Sequence, residues 1–183
     1  MSGKIIVLEG IDGCGKATQA ELLQEWLQGE LNQSVPRVSF PQYDEPSSAL
    51  VKQYLNGDFG KDAHDVSPFA ASTFYAVDRY ASYKTKDWGR HYDNGGIVIA
   101  DRYSTSNAIF QSEKVLECNR ALFMGWLMDL EHNRLGIPKP DVVIYLDVPV
   151  GVTSDLVKGR EAKDASRKND IHEENLEFME SVN

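Results

Sequence analysis

Cysteine is scarce in this chain, whose 183 residues contain only Cys14 and Cys118, far apart and with no CxxC spacing. The two thiols therefore provide neither a disulfide framework nor a cysteine metal site. Long apolar runs are also missing near the N-terminus: the run within residues 4–9 spans about five residues, too short for a secretory h-region or a membrane span. These absences predict a protein of the reducing cytoplasm with no membrane partner.

Positive charge is in short supply as well, because 19 Lys and Arg residues face 28 Asp and Glu residues, a formal net charge of −9. Nucleic-acid polymers and anionic membranes attract proteins through accumulated positive charge, so neither is expected as a partner. A small phosphorylated ligand needs only local basic groups. The length is that of one domain, and we predict a single domain over residues 1–183.

The apolar pattern alternates between strand and helix signals. A β-branched run at residues 4–9 is followed by glycines and then by helical periodicity over residues 16–31, which is the start of a βαβ unit. Further strands are predicted at residues 35–40, 96–100 and 142–146, the last two buried. Further helices are predicted at residues 47–55, 68–88 and 116–134. This alternation predicts an α/β fold, a doubly wound parallel sheet with flanking helices.

A phosphate-binding motif stands between the first strand and the first helix. The run GIDGCGK, from Gly10 to Lys16, fits G-x-x-x-x-G-K and lies in the strand-to-helix context that this motif requires. Backbone N–H groups and the lysine charge can surround a triphosphate there, so the fold is predicted to be of the P-loop nucleoside triphosphate hydrolase type. The predicted ATP-binding residues are Gly10, Ile11, Asp12, Gly13, Cys14, Gly15, Lys16, Ala17 and Thr18.

Ala17 departs from the motif, which has Ser or Thr at this position to ligate Mg²⁺ through its hydroxyl. Thr18 follows directly, but one residue along a helix turns the side chain by about 100°, so it is only a weak substitute. Asp101, directly after the predicted strand at residues 96–100, is a candidate metal ligand. Its neighbour Arg102 can offer a planar set of donors to phosphoryl oxygens.

Six short segments, in order along the chain, resemble the bacterial thymidylate kinases of the nucleoside monophosphate kinase superfamily. They are GIDGCGK at 10–16, FPQY at 40–43, FYAVDR at 74–79, DRYSTSN at 101–107, GIPKPD at 136–141 and DIHE at 170–173. Any one segment is a weak signal, whereas all of them in family order form a strong one. The resemblance implies ATP as co-substrate, dTMP as acceptor, Mg²⁺ as cofactor and a homodimeric assembly.

The resemblance also implies which residues hold the acceptor. Tyr75 and Arg79 match the family's aromatic and arginine that stack on thymine and bind its edge, and their spacing of four places them on one helix face. Asn107 matches a base-contacting amide, and Phe110 is a candidate to crowd the 2′ position. The implied acceptor residues are Asp12, Phe40, Tyr43, Tyr75, Arg79, Arg102, Asn107 and Phe110.

A basic segment at about residues 155–170 resembles the family's lid over ATP, with Arg160 the first choice to place positive charge on the transferring phosphate. The implied catalytic residues are Lys16, Asp101, Arg102 and Arg160. Relatives usually continue beyond the DIHE segment through more of the fold, so the C-terminus is expected to be incomplete. Two alternatives remain open: a deoxynucleoside kinase, and a nucleotide-binding module without catalysis in which Ala17 has weakened metal binding.

Overall fold

The computed structural model of the chain describes residues 2–149 and 151–153. Its four strands are parallel and lie in the order β2-β3-β1-β4. The strands are β1 (Lys4–Glu9), β2 (Arg37–Ser39), β3 (Ile97–Asp101) and β4 (Val142–Tyr145). The predicted parallel sheet is confirmed, although β2 is shorter than residues 35–40 because Pro36 has no N–H for the ladder.

Helices connect the strands and cover the sheet. In the described part of the chain they are α1 (Lys16–Leu31), α2 (Ala49–Leu55), α3 (Pro68–Thr85), α4 (Asp87–Asp93), α5 (Ser104–Ser112) and α6 (Glu117–Met128). Two 3₁₀ turns, Pro46–Ser48 and Ala63–Asp65, precede α2 and α3, and a π-helical turn, Asp129–Arg134, extends α6. None of these helices is long and apolar enough to cross a membrane.

The side chains of β1 alternate between two apolar layers, one on each face of the sheet. Ile5 and Val7 belong to the cluster that contains α4 residues, whereas Leu8 packs with Ala20 of α1 and Ile99 of β3. All five of these side chains are fully buried. Coverage of both faces is what a β-branched, continuously apolar strand predicts, and it accounts for the doubly wound arrangement.

The strand register brings the carboxyl ends of β1, β2 and β3 to one edge. Leu8 of β1 and Ser39 of β2 both pair with Asp101 at the end of β3. The next residue, Arg102, donates its backbone N–H to the Leu8 carbonyl at 3.0 Å. The loops that follow β1 and β3 are therefore neighbours, which is the usual position of a ligand site in such sheets.

The helix predicted over residues 68–88 is broken in two. Lys86 is extended, with ψ of 156°, and lets α4 turn back toward the sheet. This turn buries Trp88, whose Nε1–H donates to Ser82 Oγ at 2.9 Å. Gly89 permits the close approach, because a Cβ there would lie 1.9 Å from the Tyr83 carbonyl oxygen. The sequence has continuous helical periodicity over residues 68–88, but burial of the Trp88 indole divides this segment into two helices.

The strand predicted at residues 142–146 is present as β4, but the prediction that it is buried is wrong. Val142, Val143, Ile144 and Tyr145 of β4 are 38–49% exposed. Within the described residues, β4 pairs only with β1 and lies at the edge of the sheet. An apolar β-branched run predicts a strand correctly, but it does not distinguish a central strand from an edge strand.

Candidate active site

A cleft opens at the carboxyl edge of the sheet, where the loops after β1, β2 and β3 meet α3 and α5. It is lined by Asp12, Gly13, Gly15, Lys16, Ala17, Ser39, Phe40, Pro41, Tyr43, Leu55, Tyr75, Arg79, Asp101, Arg102, Tyr103, Ser106, Asn107, Phe110 and Gln111. We call residues 12–17 with Asp101 and Arg102 the P-loop end. We call Tyr75, Arg79 and Asn107, with Glu131 behind them, the helix end.

The P-loop closes tightly around the lysine side chain. Gly15 caps α1 with φ of 93°, in the left-handed region that favours glycine. At Gly10 a Cβ would lie 2.7 Å from Cys14 Sγ, so a larger residue would displace the loop. Lys16 Nζ donates to the carbonyl oxygens of Gly10 at 2.9 Å and Ile11 at 2.8 Å. The predicted loop thus wraps around the Lys16 ammonium at the start of α1.

The Lys16 ammonium is poorly compensated by negative charge. Its side chain is buried, and burial lowers the pKa of Lys16, as does the positive charge of Arg102. The negative charge of Asp12 raises the pKa of Lys16, but this effect does not outweigh burial. The distance from Asp12 Oδ1 to Lys16 Nζ is 4.0 Å, which is too long for a hydrogen bond. An anionic ligand at this position would compensate the buried charge directly.

Arg102, at the P-loop end, contacts both the P-loop and α5. Its Nη2 donates to Asp12 Oδ1 at 2.7 Å, and its guanidinium carbon lies 5.2 Å from the centre of the Phe110 ring. Burial lowers the pKa of Arg102, but the charges of Asp12 and Glu9 outweigh burial and raise it. The guanidinium is therefore always charged, and a carboxylate and an aromatic face hold it in place.

Asp101, at the end of β3, carries a carboxyl group with a raised pKa. Burial is the main cause, while the positive charges of Lys16 and Arg102 lower the pKa in part. The buried environment therefore destabilises the ionised carboxylate, and a cation beside it would stabilise this charged form. This behaviour is consistent with the predicted metal-ligand position.

Glu9 is a residue of this region that the sequence analysis treated only as part of an apolar strand. It is fully buried, and its carboxylate accepts hydrogen bonds from Tyr103 N at 3.1 Å, Thr105 Oγ1 at 2.5 Å and Ser106 Oγ at 2.6 Å. Glu9 therefore attaches the first turn of α5 to the end of β1. In the sequence, the only indication of this role is that an acidic residue ends an apolar strand directly before the P-loop.

Aromatic rings and a loop form the walls of the helix end. Tyr75 lines the cleft from α3, and its ring meets the ring of the buried Tyr54 edge-on at 6.3 Å between centroids. Phe40 and Tyr43, from the segment after β2, line the cleft as the resemblance implied. Tyr75 and Arg79 lie on one face of α3, in agreement with their spacing. A flat apolar ligand could stack against this wall.

Arg79 is buried rather than solvated, and Glu131 holds it. Arg79 Nε donates to Glu131 Oε2 at 2.7 Å and Nη2 donates to Oε1 at 2.5 Å. Burial lowers the pKa of Arg79, but Glu131 raises it overall through its charge and hydrogen bonds. Asn107 Nδ2 donates to the same Oε1 at 3.1 Å. Three residues from α3, α5 and the π-helical turn thus form one buried network.

Four residues predicted to bind ATP do not line the cleft: Gly10, Ile11, Cys14 and Thr18. Gly10, Ile11 and Cys14 form the back of the P-loop and do not line the cleft, although Gly10 and Ile11 hold Lys16. Thr18 is exposed on α1 and does not line it either, whereas Ala17 does. Arg160, with the predicted lid segment at about residues 155–170, lies outside the described residues.

Other residues that reasoning from the sequence missed belong to the cleft or its support. Gln111 lines it, and its Oε1 is buried with no hydrogen-bond partner within the described residues. Ser106 lines it inside the DRYSTSN segment, where the motif gave a signal that was not used. Glu131 lies 52 residues from Arg79 in sequence and outside every matched segment, so no local pattern pointed to it.

Comparison with known sequences finds thymidylate kinases both as the matching family and as similar individual proteins. The sequence model of a family described as thymidylate kinase matches residues 8–183. Thymidylate kinase of Mycobacterium tuberculosis is 32% identical over 178 residues, which cover 96% of this chain and 80% of that protein. A probable thymidylate kinase of Thermococcus kodakarensis is 35% identical over 161 residues, covering 86% of this chain and 73% of that protein.

A solved structure with a similar fold is that of thymidylate kinase from Candida albicans. It superposes with a TM-score of 0.68, covering 99% of this chain and 75% of that one, at 22% sequence identity. At this identity the likeness concerns the fold alone. It agrees with the parallel sheet and flanking helices described above.

Proposed function

Because the chain belongs to the thymidylate kinase family, we propose that it transfers the γ-phosphate of ATP to dTMP, giving ADP and dTDP. The family, the α/β fold and the class of nucleoside monophosphate kinase agree with the expectations from the sequence. The observation that carries the proposal is the continuous cleft, which joins a P-loop to an aromatic and guanidinium site through Arg102. A pyrimidine nucleoside monophosphate matches this cleft, because its phosphate can lie near Arg102 and its base near the aromatic and guanidinium site.

Lys16 and Arg102 act on the phosphates. Lys16 exchanges the carbonyl oxygens of Gly10 and Ile11 for phosphate oxygens of ATP, and Arg102 turns donors toward the acceptor phosphate. An oxygen of the acceptor phosphate attacks the γ-phosphorus as the bond to the β,γ-bridging oxygen breaks, and ADP leaves with that oxygen. Catalysis consists of positioning and charge neutralisation, so no covalent enzyme intermediate is needed.

Magnesium is the metal that the family implies, and the donor set of the cleft fits it in a limited way. The described residues contain no group of three or more His, Cys, Asp or Glu side chains arranged to hold an ion. Asp101 is the carboxylate we propose as its protein ligand, and Ala17 contributes only a methyl group. Phosphate oxygens and waters would supply the other ligands of an ion held by Asp101. Such an ion would supply positive charge that offsets the negative charge of the phosphates.

The helix end holds the acceptor base in this proposal. Tyr75 supplies a stacking face, while Arg79 and Asn107 supply polar groups for the edge of the base. Phe40 and Tyr43 line the same cleft and contact the sugar and base in this proposal. A purine would need to displace this wall, so purine monophosphates are poor acceptors.

Two parts of the proposal involve surfaces beyond the cleft. We propose that Arg160 and the basic segment at about residues 155–170 add positive charge over ATP, and that the chain forms a homodimer in the cytoplasm. Exposed apolar side chains at the start of α3 and on α6, Phe69 and Leu122, support a self-associating surface. Light scattering during size-exclusion chromatography measures the assembly: a single mass of 20.5 kDa would contradict the dimer.

A coupled ADP-release assay tests the reaction. We expect ADP production with dTMP and Mg-ATP, and only a small background with thymidine or without an acceptor. Turnover with thymidine alone would favour a deoxynucleoside kinase. No acceptor-dependent ADP at any Mg²⁺ concentration would favour a binding module without catalysis.

A further inference from the structure

We propose that Glu131 is the positioning residue that determines which pyrimidine the cleft accepts. The inference rests on the proposed function, since it concerns the base of the acceptor. Glu131 does not line the cleft, so it acts through Arg79 and Asn107, which do.

The three side chains are shielded from water. Glu131 is 0% exposed, Arg79 2% and Asn107 3%. The π-helical turn Asp129–Arg134 carries the carboxylate into the space between α3 and α5. In a buried network the orientation of each group depends on its protein partners, because water cannot replace a lost hydrogen bond.

The amide of Asn107 can adopt only one orientation. Its Nδ2 donates to the Ser72 carbonyl oxygen at 3.0 Å and to Glu131 Oε1 at 3.1 Å. Both partners only accept, so a flipped amide would place Oδ1 against two acceptors. Both N–H groups are therefore used inside the protein. The side chain presents Oδ1, an acceptor, to any ligand.

Glu131 also orients the guanidinium. By accepting from Nε and Nη2, it leaves Nη1 of Arg79 as the nitrogen with both N–H groups available to a ligand. The helix end thus presents Asn107 Oδ1 as a hydrogen-bond acceptor and Arg79 Nη1 as a donor. Because Glu131 fixes both side chains, the acceptor and the donor cannot exchange positions. Thymine and uracil match this pattern, with an N–H at N3 and a carbonyl at C4. Cytosine reverses both positions, with an unprotonated N3 and an amino group at C4.

Glu131→Gln is the discriminating variant, because the amide keeps the shape of the side chain. One of its two terminal atoms becomes an NH₂ group and opposes a donor of Arg79 or Asn107, so the fixed pattern is lost. Glu113→Gln is the matched control. It weakens a half-exposed pair in which Arg120 Nη2 lies 3.0 Å from Glu113 Oε1, outside the cleft.

The measurement is the binding of dTMP and dCMP without ATP, by isothermal titration calorimetry, together with the Kd for ATP measured in the same way without an acceptor. We expect the wild type and Glu113→Gln to prefer dTMP by at least about 100-fold, because a mismatched polar edge leaves buried groups unpaired. We expect Glu131→Gln to lower this preference at least about tenfold, with an unchanged Kd for ATP. Glu131→Asp, which keeps the charge, should lie between them and replaces Glu131→Gln if that variant does not fold.

A preference that stays within about twofold of wild type in both Glu131 variants overturns the inference, whatever happens to their melting temperatures. So does a wild type without preference. Because no turnover is needed, failure here is distinct from failure of the proposed function. A protein that selects dTMP through Glu131 but forms no dTDP would contradict only the reaction.

Discussion

The two ends of the cleft hold their charged groups in different ways. At the P-loop end, the side chain of Asp12 is 31% exposed, and within the described residues the groups that accept from Lys16 Nζ within 3 Å are the backbone carbonyl oxygens of Gly10 and Ile11. At the helix end, the side chains of Arg79 and Glu131 are 3% and 0% exposed and share two hydrogen bonds. Lys16 therefore has carbonyl contacts that a phosphate can replace, and the ion pair between Asp12 and Arg102 is partly exposed, whereas the pair between Arg79 and Glu131 is fully buried.

This difference corresponds to two tasks. Groups that stabilise a transferring phosphate must give up their resting partners when the ligand arrives, so weak carbonyl contacts suit Lys16. Groups that choose between similar bases gain from being fixed beforehand, because a fixed donor and acceptor pattern rejects a mismatched edge. Substitutions at the P-loop end should therefore change kcat, and those at the helix end should change acceptor affinity and stability.

The largest effect is expected for Arg79→Ala. Removal of the guanidinium leaves the Glu131 carboxylate buried without its ionic partner, which typically costs about 3–5 kcal/mol in the free energy of unfolding. Urea denaturation measures the loss, and the KM for dTMP should rise in the same variant. Arg134→Ala, which removes an exposed pair with Asp129, is the control and should cost less than about 1 kcal/mol. Equal losses would contradict the distinction between the two regions.

Lys16→Met should act on the rate and spare the fold. The variant removes a charge from the transferring phosphate and should lower kcat by about 100-fold or more. Because burial lowers the pKa of Lys16, the resting ammonium is not a stabilising group, and the melting temperature should change little. Lys139→Met, at an exposed position, should keep wild-type kcat. A Lys16→Met enzyme with wild-type kcat would remove Lys16 from the mechanism.

Asp101→Asn should lose activity and gain stability. A carboxyl whose pKa is raised by folding binds its proton more tightly in the native state than in the unfolded state. Its ionisation therefore destabilises the fold as pH rises through the window from the unfolded pKa to the raised native pKa. At neutral pH the variant should melt higher than wild type, and the difference should vanish in acid.

The rate of the Asp101 variant should also respond to metal. Loss of one ligand, at about 1.4 kcal/mol, would raise the Mg²⁺ concentration for half-maximal rate about tenfold. In wild type, the Mg²⁺ concentration for half-maximal rate should rise on acidification, starting at a higher pH than an ordinary aspartate would give, because protonated Asp101 binds no metal. If Asp101→Asn melts below wild type at neutral pH, the carboxylate has a stabilising partner instead.

The smallest effect is expected for Ala17→Ser. A hydroxyl at a position that lines the cleft would replace one water on the metal and lower the half-maximal Mg²⁺ concentration by about threefold. Thr18→Ala is the matched control, because Thr18 is exposed and does not line the cleft. A Thr18→Ala variant that needs more Mg²⁺ than wild type would show that the neighbouring hydroxyl serves as the ligand.

The two ends also differ in how far the sequence predicts them. Most of the P-loop end is one contiguous run, so the motif from Gly10 to Lys16 predicts the position of the loop, and Asp101 and Arg102 are adjacent residues directly after a predicted strand. At the helix end, Tyr75 and Arg79 share one helix and were predicted together. Glu131 approaches them from a π-helical turn inside a continuous helical pattern, and no local rule marks such a turn. Long-range pairing of buried polar groups becomes visible only once the fold is known.

The identity of the product decides most directly whether this cleft phosphorylates dTMP. Purified protein, ATP, Mg²⁺ and dTMP should be incubated together, and the nucleotides separated by anion-exchange chromatography over time. We predict that dTDP and ADP accumulate in equal amounts, and that neither exceeds background when dGMP replaces dTMP. Release of ADP without dTDP, or equal turnover of dGMP, would contradict the assignment of this cleft to dTMP phosphorylation.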